Sequence, residues 1–132
     1  MDVAWRLMFR VGNQAKAQRC LDQALEVVPG ECVAAPQAYW KIPELWESSI
    51  QSAIEGSSAA AVLHLLQVAD RLGTGWNVTG PTIHEDMVTC FEGIFDVKSH
   101  GRPHIAGLEW AWFSVGDFSG QDAPARDSNA AD

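Results

Sequence analysis

The chain has 132 residues, of which 47% are hydrophobic, and its net charge is −8. This length fits one domain with a hydrophobic core and is too short for two domains of ordinary size. The excess of negative charge argues against binding to nucleic acids and to anionic membrane surfaces, which attract basic proteins.

The first half of the chain begins with a strand pattern followed by a helix pattern. Apolar and polar residues alternate over Val3–Val11, which predicts a half-buried strand. Asn13 is a suitable N-cap for the amphipathic helix that follows. Glu31–Trp40 then reads as a second strand, and Pro36 within it predicts an irregular strand or one at a sheet edge.

The segment Glu44–Glu55 fits two patterns. Its apolar residues are spaced as one face of a helix, yet Trp46, Ser48 and Ile50 also alternate as a strand. The serines, the β-branched residues and the need for a strand before the next helix favour a strand. The second amphipathic helix follows, with Ser57 in the cap region.

The last third of the chain contains further strand patterns. Trp76–Thr79 predicts a short strand that ends at Gly80-Pro81. Met87–Asp96 and Ile105–Val115 predict an antiparallel hairpin. Within the second of these, Gly107–Val115 carries large apolar residues at both odd and even positions, so we expect it at the centre of the sheet.

Together these patterns predict one α+β domain over residues 1–116. We expect a ferredoxin-like split βαβ unit with an antiparallel sheet, two helices on one face and an added C-terminal β-hairpin. Residues 117–132 contain only Phe118 as a large apolar residue. Because so little apolar surface cannot offset the entropy of ordering, the sequence predicts a disordered acidic tail.

Four loop residues are the candidates for chemistry. His84 and Glu85 precede the predicted strand Met87–Asp96, and His100 and His104 follow it. Imidazole and carboxylate groups can bind a metal, but the spacing matches no recognised metal or catalytic motif. The sequence therefore predicts no catalytic residue, no metal and no cofactor. A small α+β enzyme or ligand-binding domain that uses these histidines and Glu85 is the alternative.

The chain contains six tryptophans, a residue that is enriched at the centres of protein interfaces. Trp40 and Trp46 flank a turn that contains a proline. With Tyr39, Glu44 and Glu47 they would form an aromatic and acidic patch. We predict that these five residues bind a protein partner.

No stretch reaches the roughly 20 apolar residues of a transmembrane helix, and no signal peptide is recognisable, so we expect a cytoplasmic protein without membrane contact. This profile, with Tyr39-Trp40-Lys41 and with the aromatic segment Gly107–Phe113, resembles the immunity proteins of bacterial polymorphic toxin and secretion-system effector pairs. The resemblance implies a non-enzymatic protein that occludes the active site of a cognate toxin, which would be basic. The profile is compatible with a homodimer, and the negative charge predicts no nucleic acid partner.

A chain that ends at Phe118 is expected to melt at the same temperature as the full chain, because the deleted residues have almost no apolar side chains with which to pack. Thermal unfolding followed by circular dichroism measures this. A melting temperature several degrees lower would contradict the prediction.

Overall fold

A computed structural model of the protein describes residues 1–116, which form a six-stranded sheet, two helices and a small two-stranded sheet. The elements are β1 (Asp2–Arg10), α1 (Gln14–Val27), β2 (Gly30–Ala38), β3 (Leu45–Ala53), α2 (Ser58–Leu72), β4 (Gly73–Thr74), β5 (Asn77–His84), β6 (Met87–Asp96), a 3-10 turn (Val97–Ser99), β7 (Arg102–Pro103) and β8 (Leu108–Gly116). No helix in this part of the chain is long and apolar enough to cross a membrane. The predicted tail, 117–132, lies outside the described residues.

The large sheet has the strand order β2-β3-β1-β8-β6-β5, and all neighbouring strands are antiparallel. Strand β8 pairs with β1 on one side and with β6 on the other, which confirms the central position predicted from its two apolar faces. Strand β2 is an edge strand with two register shifts, as its proline indicated. The α+β class, the antiparallel sheet and the two helices are confirmed.

Both helices begin at the residues that the sequence indicated. The side chain of Asn13 accepts a hydrogen bond from the backbone N–H of Lys16 at 2.9 Å, and that of Ser57 accepts one from Ala60 at 3.4 Å. Each bond satisfies a donor that the first helical turn leaves without a partner. The apolar stripes of both helices then pack on one face of the sheet, around the aromatic side chains Trp5, Trp76, Phe91, Phe95 and Phe113.

The other face of the sheet carries a second, smaller apolar cluster. Its buried members are Met8, Tyr39, Leu45, Trp110 and Trp112. The residues between β2 and β3 contribute to this cluster, since Tyr39 is one of its members. Ile42 packs against it from the same connection. This connection is therefore held against the sheet by buried side chains.

The segment Glu44–Glu55, which fitted two patterns, contains strand β3, as the sequence favoured. The predicted end of the short strand that begins near Trp76 was wrong. Strand β5 does not stop at Thr79 and continues through Gly80 and Pro81 to His84. Its pairing with β6 shifts register between Thr79 and Thr82. A proline is tolerated here because β5 is an edge strand and Pro81 lies in the irregular stretch between Thr79 and Thr82, where no cross-strand pair forms.

Replacing Gly93 by Ala is expected to lower the free energy of unfolding by about 1–3 kcal/mol, the usual cost of overpacking a filled core. Gly93 pairs with Phe113, and a Cβ at this position would lie within 3.0 Å of three atoms of the Phe113 ring. Urea unfolding measures the change.

Gly12→Ala is the matched control, because a Cβ at Gly12 meets no atom within 4 Å. Its stability should be unchanged or slightly raised. Equal stabilities for the Gly93 and Gly12 variants would contradict this account of the core.

Candidate functional site

Residues 39–45, which are the connection between β2 and β3 together with the first residue of β3, present one tryptophan to solvent, and we call them the Trp40 loop. The side chain of Trp40 is 77% exposed, whereas its neighbour Tyr39 is 3% exposed. The backbone N–H of Tyr39 donates to the carbonyl of Leu45 at 2.8 Å, and that of Leu45 donates to Ile42 at 2.9 Å. Hydrogen bonds and a buried ring thus fix the backbone that displays Trp40.

Two neighbours contact the exposed ring of Trp40. The ring of Tyr39 lies 6.2 Å from it between centroids, in a tilted arrangement. The Nζ atom of Lys41 lies 5.0 Å from the Trp40 centroid, within the range of a cation–π interaction. Glu44 is exposed on the same loop. The loop therefore combines one large apolar ring, one cation and one carboxylate.

Three of the five residues predicted to bind a partner lie in the Trp40 loop, but they are not equally accessible. Trp40 and Glu44 face solvent, whereas the side chain of Tyr39 is in the second apolar cluster. Tyr39 can support a contact by holding Trp40 in place. It offers little surface of its own.

The other two predicted residues, Trp46 and Glu47, lie on opposite faces of the sheet, because neighbouring side chains of a strand alternate. Trp46 pairs with Phe9, which belongs to the core beneath the helices. On the other face, Glu47 accepts a hydrogen bond from Arg6 Nη2 at 2.9 Å. The five residues therefore do not form a single surface.

An ion pair that the sequence did not indicate lies near the Trp40 loop. Arg10 donates from Nε and Nη2 to the two carboxylate oxygens of Glu109, at 2.6 and 3.0 Å. The hydrogen bond with Glu109 raises the pKa of Arg10, burial opposes it, and the charges of Glu109 and Glu44 raise it further. The one available signal was that Glu109 is the only charged residue in the apolar segment Gly107–Val115.

The structure does not bring the candidate histidines together. His84 ends β5 and Glu85 lies in the turn before β6, whereas His100 and His104 follow the end of β6. Because β6 has 10 residues, these groups are separated by roughly 30 Å at about 3.3 Å per residue. His104 Nε2 lies 2.8 Å from Thr74 Oγ1, and His84 Nε2 lies 4.0 Å from Glu85 Oε1. Residues 1–116 contain no group of three metal-ligating side chains.

A cleft of about 500 Å³ lies at the end of β3 opposite to the Trp40 loop. It is bounded by the first residues of β1, α2 and β6 and by the last residues of β3 and β8. Apolar side chains and carboxylates both line it. The part of the chain that the structure describes thus offers two candidate contact surfaces, at opposite ends of the sheet.

Comparison of the chain with models of known protein families, with curated proteins and with solved structures finds no match. Its function is therefore inferred from its own two surfaces.

Replacing Arg10 by Ala is expected to lower the free energy of unfolding by about 1–3 kcal/mol, because a nearly buried carboxylate loses two charge-assisted hydrogen bonds. This loss of stability is smaller than that expected for a fully buried ion pair, because the Arg10 side chain is 43% exposed. Arg10→Lys should cost less, since it keeps the charge and loses only the forked geometry.

Urea unfolding compares these variants with Lys16→Ala, an exposed position on α1. The control should match the wild type. An Arg10→Ala protein as stable as this control would show that the ion pair contributes nothing to the fold.

Proposed function

We propose that this chain is a non-enzymatic cytoplasmic binding protein that neutralises a cognate bacterial toxin by covering its active site. The observation that carries the proposal is the ring of Trp40, 77% exposed on a loop with a fixed backbone. Covering this ring would remove roughly 150 Å² from water, a gross gain of roughly 4 kcal/mol. Few single side chains can contribute as much apolar area to an interface.

The order of the Trp40 loop also favours tight binding. Association costs free energy when loops and side chains must be immobilised. Here the Tyr39 ring is buried, and two backbone hydrogen bonds hold the loop, before any partner arrives. A preorganised tryptophan can therefore serve as an anchor that fills a pocket of the toxin, with Lys41 and Glu44 at the polar rim of the contact.

The charge of the chain indicates the chemistry of the partner. A net charge of −8 attracts a basic protein and raises the rate at which the two molecules meet. Near the anchor, Glu44 is exposed and supplies negative charge. Because a bound inhibitor blocks an active site by steric exclusion, this mechanism requires no catalytic group in the chain.

The strand order supports a finer description of the fold as part of this proposal. Strands β1 and β2 are parallel with β3 between them, and β3 and β8 are parallel with β1 between them, as follows from the antiparallel pairings. This is the pattern of a ferredoxin-like split βαβ unit. In this description the added strands are β5 and β6, which precede the last strand of the unit, and not a C-terminal hairpin as the sequence predicted.

Trp40→Ala is expected to speed dissociation from the toxin and to weaken binding by about 2 kcal/mol or more, the usual scale for a residue that anchors an interface. The protein to be tested is the product of any toxin gene found beside the gene for this chain, and interferometry measures both rate constants. Leu63→Ala is the control, because Leu63 is 59% exposed on α2, away from the loop.

The same gene pair provides a test in cells, since co-expression of the wild-type chain should protect them from the toxin and co-expression of Trp40→Ala should protect them less. A wild type that neither binds nor protects would refute the proposed function. Equal losses for Trp40→Ala and Leu63→Ala would instead refute the role of the loop.

Glu44→Lys is expected to slow association and to weaken its dependence on salt concentration, while dissociation changes little. Glu47 is unsuitable for this test because its replacement would also break its hydrogen bond with Arg6. Glu26→Lys makes the same charge change at an exposed position on α1. If both variants associate at the same reduced rate, the effect comes from net charge and not from the loop.

A further inference from the structure

The cleft opposite the Trp40 loop has the size of a binding site. Its volume of about 500 Å³ falls within the range of small-molecule and side-chain pockets. Met87 and the half-buried Val88 supply apolar surface, the buried Val115 lies at the base of the cleft, and Asp2, Gln51 and Asp86 are lining residues that carry oxygen acceptors. Met87 is 67% exposed, so part of the apolar wall is open to a ligand.

Negative charge predominates around this cleft. Asp2 and Asp86 line it, while Glu55 and Glu85 are each next in sequence to a lining residue. Within residues 1–116, neither Asp2, Glu55 nor Asp86 forms an ion pair. One positive group, the α-ammonium of Met1, donates a hydrogen bond to the carbonyl of Ile54 at 2.8 Å. Two carboxylates therefore line the cleft, two more lie beside it in sequence, and the lining residues contribute one ammonium group.

Within residues 1–116, the acceptors of Asp86 are also incompletely used. Ser58 Oγ donates to Asp86 Oδ1 at 3.3 Å, a long bond that engages one of the two carboxylate oxygens. The best complement to such a site is a cationic side chain with several donors and an apolar stem. Arginine has both, because its methylene groups pack on apolar walls while its planar head donates up to five hydrogen bonds.

We propose that this cleft binds an arginine side chain presented by a partner polypeptide. The methylene stem packs on Met87 and Val88, and the guanidinium donates to the carboxylates of Asp2 and Asp86. The exposed side chain of Ile83, on the neighbouring strand β5, offers further apolar surface to the residues that flank the arginine.

This site goes beyond the proposed function and does not depend on it. The cleft and the Trp40 loop lie at opposite ends of β3, whose nine residues span roughly 30 Å. The arginine can belong to a toxin or to another partner, because the chemistry of recognition is the same. The site can therefore be tested without any partner protein.

The probe is N-acetyl-arginine N-methylamide, added to the full ¹⁵N-labelled chain and followed by two-dimensional NMR. Concentrations up to about 50 mM are needed because a single side chain binds weakly. The amide signals of the cleft residues should shift in a saturable manner. The citrulline analogue has nearly the same shape without the charge and should cause much smaller shifts.

Asp86→Asn tests the carboxylate directly and should raise the dissociation constant of the arginine probe by about fivefold, the effect of losing one partly exposed ion pair. Asn tolerates the left-handed backbone of this position, where φ is 67°. Glu85→Gln is the matched control, since it makes the same charge change one residue away, on a side chain that is 85% exposed and outside the cleft lining.

The NMR spectra of both variants also report whether the fold is retained, and Asp2→Asn replaces Asp86→Asn if that variant unfolds. Three results would each overturn the proposal: no shifts at the cleft, equal binding of the citrulline analogue, or equal weakening by the control. Because no toxin is present, none of these results bears on the proposed function.

Discussion

Strand β8 buries side chains on both of its faces, and the rest of the fold depends on that requirement. Phe113 and Val115 join the core beneath the helices, while Trp110 and Trp112 join the cluster on the other face. The Phe113 ring fits here because Gly93, which has no side chain, lies opposite it. Burial of this much aromatic surface requires a strand on each side and cover on each face.

The cover on the second face links the fold to the candidate function. Tyr39 and Leu45, at the two ends of the Trp40 loop, are buried in the same cluster as Trp110. The loop is therefore fixed by the sheet that it covers, and the ring of Trp40 is left outside. One arrangement of side chains thus gives both a stable core and an exposed aromatic anchor. The buried Tyr39 positions its exposed neighbour Trp40.

The sequence predicted most of this fold because its helices carry clear caps and its strands carry clear alternation. It did not predict that β5 passes through Gly80-Pro81, since only the position at a sheet edge makes a proline acceptable there. The predicted aromatic and acidic patch, which included Trp46 and Glu47, also disagrees with the structure. A strand over residues 45–53 must place Trp46 and Glu47 on opposite faces, so the patch conflicted with the preferred secondary structure. The ion pair between Arg10 and Glu109 forms because β1 lies beside β8 in the sheet. Patterns of neighbouring residues in the sequence do not predict which distant strands pair.

The central claim, that the Trp40 loop is the surface that contacts a toxin, is tested most directly by hydrogen–deuterium exchange. Exchange is measured by mass spectrometry on the full chain alone and after saturation with the candidate toxin. The account predicts slower exchange in peptides that cover residues 39–45 and unchanged exchange in α1. Slower exchange elsewhere, with no change in residues 39–45, would contradict it.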